Sequence, residues 1–162
     1  MKKIILIRHA KSAWDHPWLD DFERPLAERG LRDAPQMAAS LANRGINVDL
    51  LCSSTAQRAK QTACITAEVL GYPEKKIHWE KSLYHASASH LLQFIQSQSN
   101  QIQTVVLVGH NPGLTELINV LGVKLDNLPT SGQFAFSLST THWKELSQDT
   151  CTFAWWDSPK NK

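Results

Sequence analysis

The sequence predicts an α/β protein, a three-layer α/β/α sandwich around a mostly parallel sheet. Three observations lead there. An unbroken apolar run, Ile4 to Ile7, stops abruptly at Arg8 and His9. A second run, Thr104-Val105-Val106-Leu107-Val108-Gly109, stops at His110. Around them, short strand-like stretches alternate with segments of helical spacing. Apolar runs without a polar break suit strands buried on both faces. Alternating strands and helices predict right-handed crossover units, with helices covering both sides of the sheet.

Taken in order, Ile4 to Ile7 is the first strand, and Arg8 and His9 stand at its carboxyl end, where open α/β sheets bind ligands. Ser12 to Arg24 is a polar, broken stretch holding Trp14, Asp15, His16, Pro17, Trp18, Asp20 and Asp21. It reads as a loop, its tryptophans serving either as substrate contacts or as plugs at the core edge. Leu26 to Gly45 has helical spacing through Leu31, Met37, Ala38, Leu41 and Ala42, with Gly45 at the C′ position. Pro35 either begins the main helix or kinks it after a first turn near Ala27–Gly30.

Val48 to Ser53 is a second strand. Ser54 and Thr55 offer caps for a helix from about Ala56 to Leu70, closed by Gly71 and Pro73. Ile77-His78-Trp79 suggests a small third strand. Helical spacing returns over Ser87 to Gln98, with Leu91, Leu92, Phe94 and Ile95 on its apolar side. After the Thr104–Gly109 strand, Asn111 suits an N-cap and Pro112 a first helical residue, giving a helix to about Leu121. Asp126 to Gly132 is turn-rich. Gln133 to Ser139 alternates as a half-buried strand, and Thr152 to Trp156 reads as an edge strand. We expect one domain over residues 1–157 and a frayed basic tail over 158–162.

Bulk properties narrow the function. A length of 162 residues is enough for one sizeable core. A 42% hydrophobic, 20% charged composition is globular and argues against disorder. A net charge of +2 gives no electrostatic case for nucleic acid. No apolar stretch approaches the roughly 20 residues that span a bilayer, so no membrane is expected. With no signal-peptide pattern, a reducing cytoplasm is the expected location. Cys52, Cys64 and Cys151 lack paired spacing and read as small buried hydrophobes.

Three strand-to-helix junctions carry the chemistry. The first holds Arg8 and His9. The second places Arg58 near the third position of a helix capped by Thr55, and the third holds His110. In a parallel sheet such junctions share one edge, so the four side chains can converge on one crevice. Helix N-termini beside arginines form an anion site for which phosphate is the natural guest. Two histidines at its floor suggest more than binding, because neutral imidazole can attack phosphorus and imidazolium can stabilise a transferring phosphoryl group. Metal binding is not expected: no carboxylate or thiolate joins the histidines at a plausible site, and the arginines would repel a cation. His16, His78, His85, His90 and His142 read as surface or loop residues. A serine-hydrolase reading lacks its G-x-S-x-G elbow.

Arg8-His9-Ala10-Lys11-Ser12, Ser53-Ser54-Thr55-Ala56-Gln57-Arg58-Ala59-Lys60-Gln61-Thr62-Ala63 and Val108-Gly109-His110-Asn111-Pro112-Gly113 resemble the histidine phosphatase superfamily, with its phosphoglycerate mutase-like fold. Compact size, the Arg-His-Ala-Lys-Ser start and Arg24-Pro25-Leu26 followed by Arg29-Gly30 resemble its SixA-type phosphohistidine phosphatase branch. The resemblance runs from about residue 3 to 140. It implies a metal-independent phosphatase without a cofactor, with His9 as nucleophile and Arg8, Arg58 and His110 as the phosphate pocket. Arg24 is a further candidate for phosphate or partner contact, or else pairs with Glu23 or Asp21 on the surface. Lys11 is a weaker candidate.

Three departures qualify the resemblance. Ala10 stands where glycine is more usual, which favours the SixA-like branch over the mutases. The general acid of larger relatives has no clear counterpart: Glu80, Glu23 and Asp21 are candidates by position only. The insertions that build a substrate cap are missing, leaving an open, shallow site suited to a phosphorylated side chain on a protein surface. The resemblance therefore implies a His-phosphorylated phosphotransfer or signalling protein as partner. Its rivals are a small-molecule phosphomonoesterase using the same pocket and a phosphate-binding module without catalysis; a mutase fits less well. The oligomeric state is left open, with a monomer the simplest reading.

Overall fold

The structure, a computed structural model, describes residues 1–162. Six strands form one sheet: β1 (Lys3–Arg8), β2 (Leu50–Ser53), β3 (His78–Trp79), β4 (Thr104–Gly109), β5 (Gln133–Leu138) and β6 (Cys151–Asp157). Their order is β3-β2-β4-β1-β5-β6. The first four in that order run parallel, and β5 and β6 are antiparallel additions on the far side of β1.

Strand alternation divides the core in two. Ile5, Ile7, Leu51, Val106 and Val108 face α1 (Glu28–Asn43) and α2 (Gln57–Leu70). Ile4, Leu6, Cys52, Val105 and Leu107 face α3 (Ala88–Gln96) and α4 (Gly113–Val120). The expected α/β/α sandwich is therefore present, and no helix is long and apolar enough to cross a membrane.

Local detail departs from expectation where tertiary packing overrides it. α1 is one helix from Glu28, with Pro35 inside it. Pro35 is on the exposed side, where the Leu31 carbonyl that it cannot bond also lies, so no core contact is lost. Leu31 is exposed as well, and the buried stripe is Gly30, Asp33, Ala34, Met37, Ala38 and Leu41. Thr55 does not cap α2: Ala56 stands at that position, and Ser54 Oγ accepts from its N–H at 3.2 Å. Arg58 is consequently the second helical residue. Pro112, joined to Asn111 by a cis bond, is the cap of α4 and not its first residue. Asn111 Oδ1 still caps, accepting from the Thr115 N–H at 3.2 Å.

β5 is buried on both faces, not half-buried: Phe134, Phe136 and Leu138 join one core and Ala135 the other. Its place between β1 and β6 covers both sides, which no local pattern encodes. In α3 only Leu91 and Ile95 are buried, Leu92 and Phe94 lying at the margin. Residues 158–162 are not frayed. Ser158 is buried, Pro159–Asn161 forms a 3-10 turn, and Lys162 Nζ meets Asp157 Oδ2 at 2.5 Å.

Candidate active site

Because β2, β4 and β1 are neighbours, Ser53 is paired with Val108 and Arg8 with Gly109, so all three chemical junctions leave the sheet at one edge. His9 N–H donates to the Gly109 carbonyl at 3.1 Å, and Ser54 N–H to the Val108 carbonyl at 3.1 Å. From α2, Thr62 Oγ accepts from the Ala10 N–H at 3.0 Å while donating to the Arg58 carbonyl at 2.8 Å. One threonine thus ties the turn after β1 to the helix that carries Arg58. Gly30 lets α1 close on the same turn: a Cβ there would stand 2.2 Å from the Lys11 carbonyl oxygen.

The four expected residues converge. His9 and His110 have ring centroids 5.1 Å apart. Arg58 Nε lies 3.3 Å from His9 Nε2, and Arg8 reaches the Leu128 carbonyl through Nη1 at 3.0 Å. All four line a cavity of about 210 Å³ together with Lys11, Ser12, Trp14, Arg24, His85, Asn111 and Thr130. His9, Arg58 and His110 are buried. His110 Nδ1 and Arg8 Nε are buried without a hydrogen-bond partner.

The tautomer of His9 follows from its neighbours. Its Nδ1 lies 2.7 Å from the Ala10 carbonyl oxygen, which can only accept, so Nδ1 carries the proton. Nε2 is left with its lone pair, where Arg58 now donates. Burial lowers the His9 pKa to about 3, against the Ala10 hydrogen bond and with help from Arg58, Arg8 and Arg24. Burial likewise lowers His110 to about 2, reinforced by His9, Arg58 and His85. In the free protein both rings are neutral at pH 7. The arrangement offers two neutral imidazoles among arginine side chains, with the Nε2 lone pair of His9 turned toward Arg58.

Arg24 pairs with Asp21, as one expectation had it, but in a buried position and not on the surface. It is buried and lines the cavity, yet Nη1 donates to Asp21 Oδ1 at 2.7 Å. Its Nε donates to the Ala13 carbonyl at 3.0 Å, Nη2 to Ser12 Oγ, and its plane lies 3.3 Å over the Trp14 ring. Trp14 and Trp18 do not plug the core edge; they are 71% and 75% exposed. Trp14 lines the cavity and forms part of its rim, whereas Trp18 packs against His16.

None of the three carboxylates proposed by position makes a good acid. Asp21 accepts from Arg58 Nη2 at 2.9 Å, Tyr84 Oη at 2.6 Å and Arg24. Partial burial would raise its pKa, but the hydrogen bonds from Tyr84, Arg58 and Arg24 outweigh that and hold it well below the ordinary carboxylate range. Glu80 points to His78 and Ser82, whose hydrogen bonds lower its pKa, and Glu23 is exposed; neither lines the cavity.

Sequence reasoning misses Tyr84 and the place of His85. His85 is the exposed loop histidine expected, yet it also lines the cavity, its ring 6.1 Å from that of His110. A signal existed, because the segment follows β3 and precedes α3, a fourth junction at the same edge. Two residues of strand made it inconspicuous.

Comparison with known proteins agrees with this layout. Residues 4–88 match the model of the histidine phosphatase superfamily, branch 1. An uncharacterised chloroplastic protein of Arabidopsis thaliana is 32% identical over 152 residues, 89% of this chain and 70% of that one. A crystal structure assigned as the phosphohistidine phosphatase SixA of Agrobacterium tumefaciens superposes with a TM-score of 0.82 at 30% identity, covering 98% of both chains. A protein histidine phosphatase SixA complexed with tungstate shares the fold, with a TM-score of 0.83 at 22% identity over 98% of each chain.

Proposed function

The chain belongs to the histidine phosphatase superfamily as a SixA-type phosphatase, and from that premise we propose that it hydrolyses phosphohistidine on a protein through a phosphohistidine intermediate on His9. The observation that carries this reading is the lone pair of His9 Nε2, freed by the Nδ1 hydrogen bond to Ala10 and directed among Arg8, Arg24, Arg58 and His110.

Phosphoryl transfer spreads charge over three non-bridging oxygens, so catalysis is mostly positioning and electrostatic stabilisation. Three guanidiniums supply both. An entering phosphate competes with the Arg58 N–H for the space before Nε2, and the nitrogen then attacks phosphorus in line with the departing group. His110 takes up a proton beside the bound dianion and stabilises it. Exposed Trp14 at the edge of an uncapped pocket supports a phosphorylated side chain presented by a protein partner.

The test is a quench, without acid, of the enzyme mixed with labelled phospho-substrate, followed by peptide mapping. Label on His9 that is acid-labile and alkali-stable is expected. Wild-type turnover by His9→Ala would overturn the mechanism. Turnover on a phosphohistidine protein should exceed that on sugar or nucleotide phosphates; the reverse order would assign the pocket to small phosphomonoesters.

A further inference from the structure

We propose that His85 is the general acid of this site: it protonates the departing atom of the substrate and afterwards takes a proton from the attacking water. The proposal rests on the reading of His9 as nucleophile. His9 is at the buried floor, so the group opposite the line of attack leaves outward. His85 is on that outward side. Its side chain is 58% exposed, and its ring is stacked on the buried His110 ring at an interplanar angle of 21°.

The groups facing His85 are a carboxylate, a phenol ring and a guanidinium. Asp21 Oδ2 lies 3.5 Å from its Nε2, the Tyr84 ring packs at 4.0 Å, and Arg58 stands behind both. His85 also has φ +54°, a left-handed conformation that a non-glycine residue adopts at a cost. The segment is held there from two sides: Tyr84 Oη donates to Asp21, and α4 abuts the next residue so closely that a Cβ on Gly113 would stand 2.1 Å from the Ala86 carbonyl oxygen. Of the other two imidazoles lining the cavity, His9 is occupied with phosphorus and His110 is buried with its Nε2 2.8 Å from Ser54 Oγ, so His85 is the exposed one.

The steps balance. His9 Nε2 forms a bond to phosphorus as the P–N or P–O bond of the substrate breaks. The departing atom keeps the electron pair and receives the His85 proton. Neutral His85 then takes a proton from water as the oxygen bonds to phosphorus. The P–Nε2 bond breaks, its pair returns to Nε2, and imidazolium and inorganic phosphate remain.

The test is His85→Asn, since asparagine tolerates the left-handed backbone and cannot titrate. Turnover is measured on phosphate esters of graded leaving-group basicity, from aryl to alkyl. The loss should grow along the series, reaching about 100-fold or more for the alkyl ester, and the alkaline limb of the kcat profile should vanish. His85→Gln, read alongside, should show the same slope. A uniform loss with the alkaline limb intact would overturn the proposal. Label trapped on His9 in that case leaves the nucleophile standing, whereas no label in the wild-type protein removes the nucleophile regardless of His85.

Discussion

The two faces of the sheet are built from different materials. The α3/α4 face is filled with large side chains: Leu91, Ile95, Leu114, Leu117, Ile118, Phe134, Phe136 and Trp143 are all buried there. The α1/α2 face uses small ones, with Ala59, Ala63 and Ala67 along α2. Alanine lets a helix lie close to the sheet, and close approach brings Thr62 and Arg58 within hydrogen-bond range of the turn after β1. Area removed from water drives folding, so the large-residue face contributes more to stability. The small-residue face gives up apolar area and in return fixes polar groups at the catalytic edge.

The sharpest way to break that contrast is Arg58→Ala. Loss of the guanidinium beside His9 Nε2 should lower kcat/KM by about 1,000-fold, a scale typical of removing one transition-state donor. Thermal unfolding should move by only a few degrees. A large stability loss with retained activity would invert the division between the faces.

The converse test is Leu117→Ala in α4. Its buried side chain lies on the large-residue face, so the change should cost about 2–5 kcal/mol in denaturant unfolding. Turnover per folded molecule should stay near wild type.

Thr62→Val sharpens the comparison further. It keeps the shape but removes the acceptor for the buried Ala10 N–H and the donor to the Arg58 carbonyl. We expect about 1–3 kcal/mol of destabilisation, accompanied by a fall in kcat, because both halves of the site lose one shared tie.

A pH series tests the catalytic edge without any substitution. His9 and His110 have folded pKa values lowered to about 3 and about 2, below the unfolded value. The unfolded chain therefore binds more protons between those limits. Their contribution to stability is fully present above pH ~6.5 and is lost as pH falls toward the folded values, at most about 1.4 kcal/mol per pH unit per histidine. Equilibrium unfolding between pH 7 and 4 would show it, and the slope should lessen in a His110→Asn variant.

Anion binding should reverse the sign at His110. Sulfate keeps its charge across this range, so its affinity, measured by calorimetry, should weaken as pH rises from 5 to 8, by up to tenfold per unit for one proton taken up. Affinity independent of pH would mean that His110 stays neutral in the complex.

Much of this site was legible because its principal residues sit at ends of strongly patterned segments. Apolar runs at Ile4–Ile7 and Thr104–Val108 mark their own boundaries, so Arg8, His9 and His110 announce an edge position. Arg58 follows from the helix start after Ser53. Arg24 was harder: its partners Asp21 and Ser12 lie in a loop with no periodicity. His85 was harder still, since β3 is only His78–Trp79 and gives almost no strand signal.

By itself the sequence determined the strands and helices, their alternation and the residues standing at the junctions, because hydrophobic periodicity is a property of near neighbours. Only the tertiary structure decided that β5 would be buried between β1 and β6, that Asp21 would bridge Arg24, Arg58 and Tyr84, and that His85 would stack on His110. These contacts join distant positions: Asp21 and Tyr84 are 63 residues apart, and Lys3 pairs with Ser137. Their geometry depends on strand order and on how closely each helix approaches the sheet, neither of which any short window of sequence contains.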